Sequence, residues 1–306
     1  MCSSDLIPGR SICFVVFLFW GYTSLLWSPA RVAGLQNLMV ISTLLVMTLV
    51  AQGLATLQPS FALDINRYLK TGILIATVLY AGATLWYGSG TNDLFGARTF
   101  SLFALFGVAQ NLADWRYGKR MGLLWAAVIT ILIGVSQSRF SLGIAVSMFP
   151  LAQFPARRAR TTWKMATVGA TSLGLAGFSV FYFDALRSRF FTGDVSLKVG
   201  DYAINGSGRM AFWNATLDSF WESPWFGQGA GSSQHLVESV FVSMTHPHSD
   251  YLRVAHDYGF LGSGLWIASL LSWLLFYYGN WRRADGVDLG IARYQLTALL
   301  SLVSFI

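Results

Sequence analysis

The stretch His246-Pro247-His248-Ser249-Asp250-Tyr251-Leu252 brings two imidazoles and a carboxylate into one short segment. Histidine titrates near neutrality, so an imidazole held within hydrogen-bond reach of a hydroxyl can take its proton. Ser249 can cap a helix that starts there. The open N–H groups and positive dipole end of that helix would favour an anion, such as a phosphate, beside His248. His246 and His248, separated by Pro247 in extended backbone, would face one side and could instead chelate a metal with Asp250 or Asp257. No HExxH or comparable ligand spacing accompanies them, so no metal is expected. The plainer alternative is a surface loop histidine.

Two arginines offer complementary chemistry. Arg139 follows Ser136-Gln137-Ser138 and interrupts a nearly unbroken apolar stretch from Met121 to Phe154. At the outer end of a hairpin it could snorkel to lipid headgroups, or its guanidinium fork could grip phosphate oxygens bidentately. Arg209 closes Asn205-Gly206-Ser207-Gly208-Arg209, in which the glycines allow close backbone approach. It reads either as an exposed loop charge or as a second permanent cation for an anionic substrate.

The elements that must position these residues are membrane helices. Of 306 residues, 54% are hydrophobic and 11% charged, and the mean hydropathy is +0.52, whereas soluble domains carry about a quarter charged residues. The expected fold is an all-α polytopic membrane protein, one integral domain over 1–306. Apolar runs long enough to be spans fall at 12–27, 38–57, 71–87, 99–113, 121–135, 140–154, 163–183, 260–278 and 291–306. The first, with Arg10 before it and Ser28-Pro29-Ala30 after it, also reads as a cleaved signal peptide. The last reaches Ile306 without a polar flank, so the chain can be a fragment.

Lys and Arg collect at Arg67/Lys70, Arg116/Lys119/Arg120, Arg157/Arg158/Arg160/Lys164 and Arg282/Arg283/Arg293. Span alternation puts all four clusters on one side, the cytoplasmic side by the positive-inside rule, and turns the 184–259 loop to the outer face of the membrane. The net charge of +7 is explained by orientation, and nucleic acid is not an expected partner. Trp27, Trp86, Tyr87, Tyr182, Tyr277, Tyr278 and Trp281 sit where interfacial anchors belong. Cys2 and Cys13 form no paired motif, and no cofactor is expected.

Within the loop, Met210, Trp213, Leu217 and Phe220 recur at helical spacing and predict a helix lying on the membrane. Gly227-Gln228-Gly229-Ala230-Gly231 breaks it, and a second helix is expected from Ser249 through Tyr258 to Gly259. His235 and His256 read as satisfied surface groups.

With these motifs in place, the chain resembles the O-antigen ligase and polymerase superfamily of bacterial envelope transferases. The resemblance rests on Ser138-Arg139, on Ser207-Gly208-Arg209 with Trp213 and Pro224-Trp225-Phe226-Gly227-Gln228-Gly229, and on His248-Ser249-Asp250-Tyr251-Leu252 leading to Gly259-Phe260-Leu261-Gly262. The family pattern has Asn where Ser249 stands. The resemblance implies a metal-independent transferase that moves a glycan from undecaprenyl pyrophosphate to an acceptor hydroxyl. That hydroxyl would belong to the lipid A core in a ligase or to another lipid-linked glycan in a polymerase. It also implies that His248 activates the acceptor and that Arg139 and Arg209 bind the pyrophosphate. His246, Asp250, Tyr251, Ser207 and Gly208 are the expected substrate contacts beside them. The competing classes are a lipid or anion transporter that uses Arg139 in its pathway, and a scaffold that would tolerate loss of His248. Against transport, spans three, four and eight carry no charge.

Overall fold

The computed structural model describes residues 11–58, 60–88, 96–153, 174, 195–199, 202–205, 209–240 and 249–302. The described helices are α1 (Ile12–Ser24), α2 (Arg31–Leu57), α3 (Phe61–Tyr87), α4 (Ala97–Arg116), α5 (Met121–Val135), α6 (Arg139–Gln153), α7 (Arg209–Phe220), α8 (Ser232–Val240), α9 (Asp250–Ala284) and α10 (Leu289–Leu302). Eight of the nine expected runs coincide with helices. The remaining run, 163–183, lies outside the described residues except for residue 174.

Among the described residues, three helices are long and apolar enough to cross a membrane, at Arg31–Ala51, Leu63–Tyr87 and Asp250–Ala284. The count of nine spans is therefore not reproduced among the described residues. α1 and α5 are apolar but have 13 and 15 residues, short of the roughly 20 that cross a bilayer core. α4 reaches 20 residues but carries Gln110, Asn111 and Asp114. The fold is helical as expected, with one short addition. Val195–Val199 and Tyr202–Asn205 form an antiparallel hairpin, β1 and β2, with Val199 opposite Tyr202. Two alternating runs separated by Gly200-Asp201 are the sequence signal for it.

The chain folds into two compact units, each drawn from two stretches: Met1–Gln58 with Gly193–Leu275, and Pro59–Thr192 with Phe276–Ile306. In the first unit, Phe17, Leu18 and Leu38 from α1 and α2 pack with Ala230, Val254 and Tyr258. α1 is thus built into the core of this unit. α2 leaves Met39, Val40, Leu44, Met47 and Val50 exposed, an apolar face suited to lipid.

The second unit is organised around α4. Leu105, Val108, Ala109 and Leu112 meet Ala126, Ile129 and Ile133 of α5, Ala145 and Met148 of α6, and Leu296 and Leu300 of α10. Small residues let these helices approach closely. A Cβ on Gly107 would stand 2.5 Å from Ile73 Cγ2, and one on Gly122 would stand 2.8 Å from the Trp115 nitrogen. Trp281, expected as an interfacial anchor, is fully buried here. Its Nε1 donates to the Tyr117 hydroxyl at 2.6 Å, and Arg116 lies over its ring at 4.8 Å. Trp86 and Tyr87 are exposed as expected, while Tyr182 lies outside the described residues.

Lys70, Lys119 and Arg293 come from three of the four basic clusters, and all three meet on Asp114. Arg139, one α5 length away at about 22 Å, marks the other end of this unit. Burial alone would raise the Asp114 carboxyl pKa, but Lys70 and Lys119 together hold it below its ordinary value.

Asp114→Asn should lower the melting stability of the detergent-solubilised protein by about 2 kcal/mol, because three cations lose their shared carboxylate. The carboxyl titrates lower folded than unfolded. The wild-type advantage over the variant should therefore be full above about pH 4 and fade as pH falls below it. Equal melting of the two proteins at neutral pH would contradict this.

Candidate functional site

The first unit holds an interlock between a glycine-rich loop and a broken helix. α7 ends at Phe220 and the chain turns through Trp221–Gly231 before α8 begins. α9 is broken at Gly259, with φ 69° and ψ −169°. Gln228 and Gly229 donate backbone N–H bonds to the carbonyls of His256 and Asp257, each at 2.9 Å. In return, Phe260 and Leu261 donate to Pro224 and Trp225 at 2.7 and 3.3 Å. The carbonyls and amides freed by the helix break are thereby satisfied by the loop, as buried backbone requires.

Glycine is needed for both reach and conformation. Gly227, Gly229 and Gly231 all have positive φ. A Cβ on them would stand 2.5, 2.6 and 2.5 Å from Asp257 O, Ser28 Cα and Gly34 N respectively. The α1–α2 turn closes the far side of the loop. Ser28 Oγ donates to the Ala230 carbonyl at 2.6 Å, and the Ala230 N–H donates to Ser24 Oγ at 3.1 Å.

Asp257 is the centre of this arrangement. Its carboxylate accepts the N–H groups of Gly231 at 3.0 Å and Ser233 at 2.8 Å, and the Ser232 hydroxyl at 3.0 Å. It therefore caps α8 from a distant part of the chain. His256 lies alongside, 1% exposed. Its Nδ1 is 3.1 Å from Ser232 Oγ and 3.3 Å from Asp257 Oδ1, and its Nε2 is 3.1 Å from Ser219 Oγ. With the proton on Nδ1, Nε2 accepts from Ser219, and His256 ties α7 to α8.

The order Ser219–His256–Asp257 has the composition of a nucleophilic triad. Both Asp257 oxygens, however, are engaged in capping α8, and the imidazole is sealed from solvent. The group is a structural tie. His256 is thus a buried hydrogen-bond centre, contrary to the surface role expected of it, whereas His235 is exposed as expected. The same engagement removes Asp257 from any metal ligand set.

Beside this loop, Trp20, Trp27, Ser223, Phe226 and Gly227 line a hollow of about 360 Å³. Trp20 and Trp27 donate their indole N–H groups to the carbonyls of Tyr258 and Gly227 at 3.1 and 3.2 Å, which fixes both rings. Such a surface suits the apolar face of a sugar ring or a prenyl chain.

The expected site residues are distributed as follows. Arg209, in the first unit, is the first residue of α7 and half-buried. Arg139, in the second unit, is the first residue of α6 and half-buried. It follows a tight turn in which Gln137 takes a positive φ of 61°. Ser138 Oγ bonds Ser141 Oγ at 2.9 Å. A cation at a helix start opposes the helix dipole, so neither arginine is placed where it best stabilises its own helix.

Asp250 opens α9, exposed and 3.3 Å from Arg253. Tyr251 is also exposed. Ser249 Oγ lies 3.4 Å from the Leu252 N–H, so the expected cap is present but long. The helix then runs to Gly259 as expected. His246, His248, Ser207 and Gly208 lie outside the described residues. The helix expected from Met210, Trp213, Leu217 and Phe220 is α7, but its buried stripe is Phe212, Thr216 and Phe220. Phe220 packs edge-on against Phe260 at 5.2 Å, while Met210 and Leu217 remain exposed.

The described helices thus define a helical protein with membrane-length apolar segments and an ordered polar loop. The O-antigen ligase family model matches residues 119–267. That stretch contains Arg139, Arg209, His248, the Gly227–Gly229 loop and the Gly259 break, and it relates the chain to the O-antigen ligase and polymerase superfamily. No curated protein matches the chain. The match supports a membrane glycan transferase acting on lipid-linked glycans.

Asp257→Ala should cost about 3 kcal/mol, because it leaves the Gly231 and Ser233 N–H groups buried without acceptors. Backbone hydrogen exchange at Gly231 and Ser233 should accelerate in the variant. Unchanged exchange would contradict the capping role.

Proposed function

We propose that the protein transfers an oligo- or polysaccharide from undecaprenyl pyrophosphate to an acceptor hydroxyl at the periplasmic face of the bacterial inner membrane, as an O-antigen ligase does. The observation that carries this proposal is the family match over the stretch containing Arg139, Arg209 and His248, together with the placement of both arginines at helix starts. His248 takes the proton of the acceptor hydroxyl as its oxygen attacks the anomeric carbon. The bond from that carbon to the pyrophosphate oxygen breaks, and undecaprenyl pyrophosphate leaves with the electron pair. Arg139 and Arg209 bind the pyrophosphate and offset the charge that grows on it. His246, Asp250, Tyr251, Ser207 and Gly208 contact substrate. The acceptor is the lipid A core in the ligase reading, and a second lipid-linked glycan in the polymerase alternative.

Support for His248 is local. The Asp257 interlock fixes the Asp250–Tyr258 segment of α9 from its C-terminal end, and His248 precedes that segment by two residues in the sequence. The permanent charge of arginine makes pyrophosphate binding independent of pH in the physiological range.

His248→Ala and Arg209→Ala should each abolish surface polysaccharide assembly while membrane protein levels stay at wild type. Arg209→Lys should restore only part of the activity, because an ammonium cannot bind bidentately. Normal surface polysaccharide in either alanine variant would overturn the assignment.

A further inference from the structure

We propose that Lys70, Lys119 and Arg293 form a phosphate-binding site beside Asp114, at the end of the second unit where Lys and Arg collect. Three cations converge there on one carboxylate. Lys70 binds Asp114 Oδ2, Lys119 stands 3.1 Å from Oδ1, and Arg293 Nε stands 3.9 Å from the same oxygen. One unit of negative charge thus faces three of positive charge, an imbalance that a further anion would relieve.

Donor capacity is also left over. Arg293 Nε is buried and makes no hydrogen bond. The Lys119 side chain is 55% exposed and that of Arg293 27%, so the outward faces of both cations are open to a ligand. Neighbouring charges are otherwise engaged. Asp288 accepts the Gly290 and Ile291 N–H groups at 2.8 and 3.0 Å, and Asp285 accepts from the Tyr117 hydroxyl at 3.1 Å. Arg116 donates to the Ala152 carbonyl at 2.8 Å and covers the Trp281 ring, which leaves it outside the site.

The chemistry of the ligand follows from these donors. A guanidinium edge with two ammonium groups suits tetrahedral phosphate oxygens, which accept several charge-assisted bonds at once. Lys70 lies within the candidate span Leu63–Tyr87, so a phospholipid headgroup is one source of the phosphate. Free phosphate from solution is the other.

The test uses the full chain in nanodiscs, with retained lipid read by native mass spectrometry and melting followed in parallel. Phosphatidylcholine discs are compared with discs containing phosphatidylglycerol or cardiolipin, and inorganic phosphate is titrated into the phosphatidylcholine discs. Wild type should be stabilised by anionic lipid if the source is a headgroup, or by inorganic phosphate if it is soluble. Lys119→Gln and Arg293→Gln should each weaken that binding about fivefold. Arg67→Gln, a change at an exposed cation in the same region, should not. Lys119 is exposed enough that its variant tests binding even if the Arg293 variant fails to fold. Binding of neither probe, or equal weakening by Arg67→Gln, would overturn the site.

Discussion

The carboxylate of Asp257 is the constraint on which the first unit depends. It accepts two backbone N–H groups and one hydroxyl at the start of α8, while the backbone carbonyl of the same residue receives the Gly229 N–H. One residue therefore fixes the loop, the helix that follows it and the break in α9. A buried carboxylate is tolerable only when its lone pairs are satisfied, and here three glycines give the backbone the closeness that satisfaction needs. The consequence for function is positional. The loop follows α7, which begins at Arg209, and the anchored segment of α9 begins at Asp250, two residues after His248 in the sequence.

The electrostatic logic of the proposed chemistry follows from placement. Arg139 and Arg209 each occupy the first residue of a helix, where a cation costs its own helix about 0.3–1 kcal/mol. That small loss is intelligible if the charge serves a pyrophosphate. A leaving group that must accept an electron pair in a water-poor site gains most from donors whose charge is permanent and already oriented. The Asp114 cluster in the second unit is different in kind, because there a carboxylate is already present and gathers cations from three separate segments.

Much of this was legible in the sequence, and the reasons differ by element. Apolar runs located the helices because burial in lipid or core requires continuous hydrophobicity, and the break at Gly259 was legible because a glycine there ends the helical pattern. The start of α9 at Asp250 followed from the capping serine before it. The meeting of Lys70, Lys119 and Arg293 on Asp114 was not legible, because it joins segments distant in the sequence. Hydropathy marks α1 and α5 as apolar but does not give their lengths, which are 13 and 15 residues. Trp281 was misread for a related reason: an aromatic at a helix end is interfacial or buried according to its neighbours, and Tyr117 and Arg116 are distant in sequence. His256 was missed because its partners, Ser219 and Ser232, come from α7 and α8. The adjacent His-Asp pair ahead of a glycine, facing a Gly-rich loop that ends in Ser232-Ser233, was the available signal.

The most direct test of the proposed chemistry separates donor binding from transfer. Purified protein in nanodiscs, given a glycan-linked undecaprenyl pyrophosphate donor and an excess of acceptor, would be followed for donor bound and for undecaprenyl pyrophosphate released in a single turnover. The account predicts that His248→Ala binds donor as wild type does but releases none, and that Arg139→Ala loses donor binding. Release at the wild-type rate by the His248 variant would contradict it.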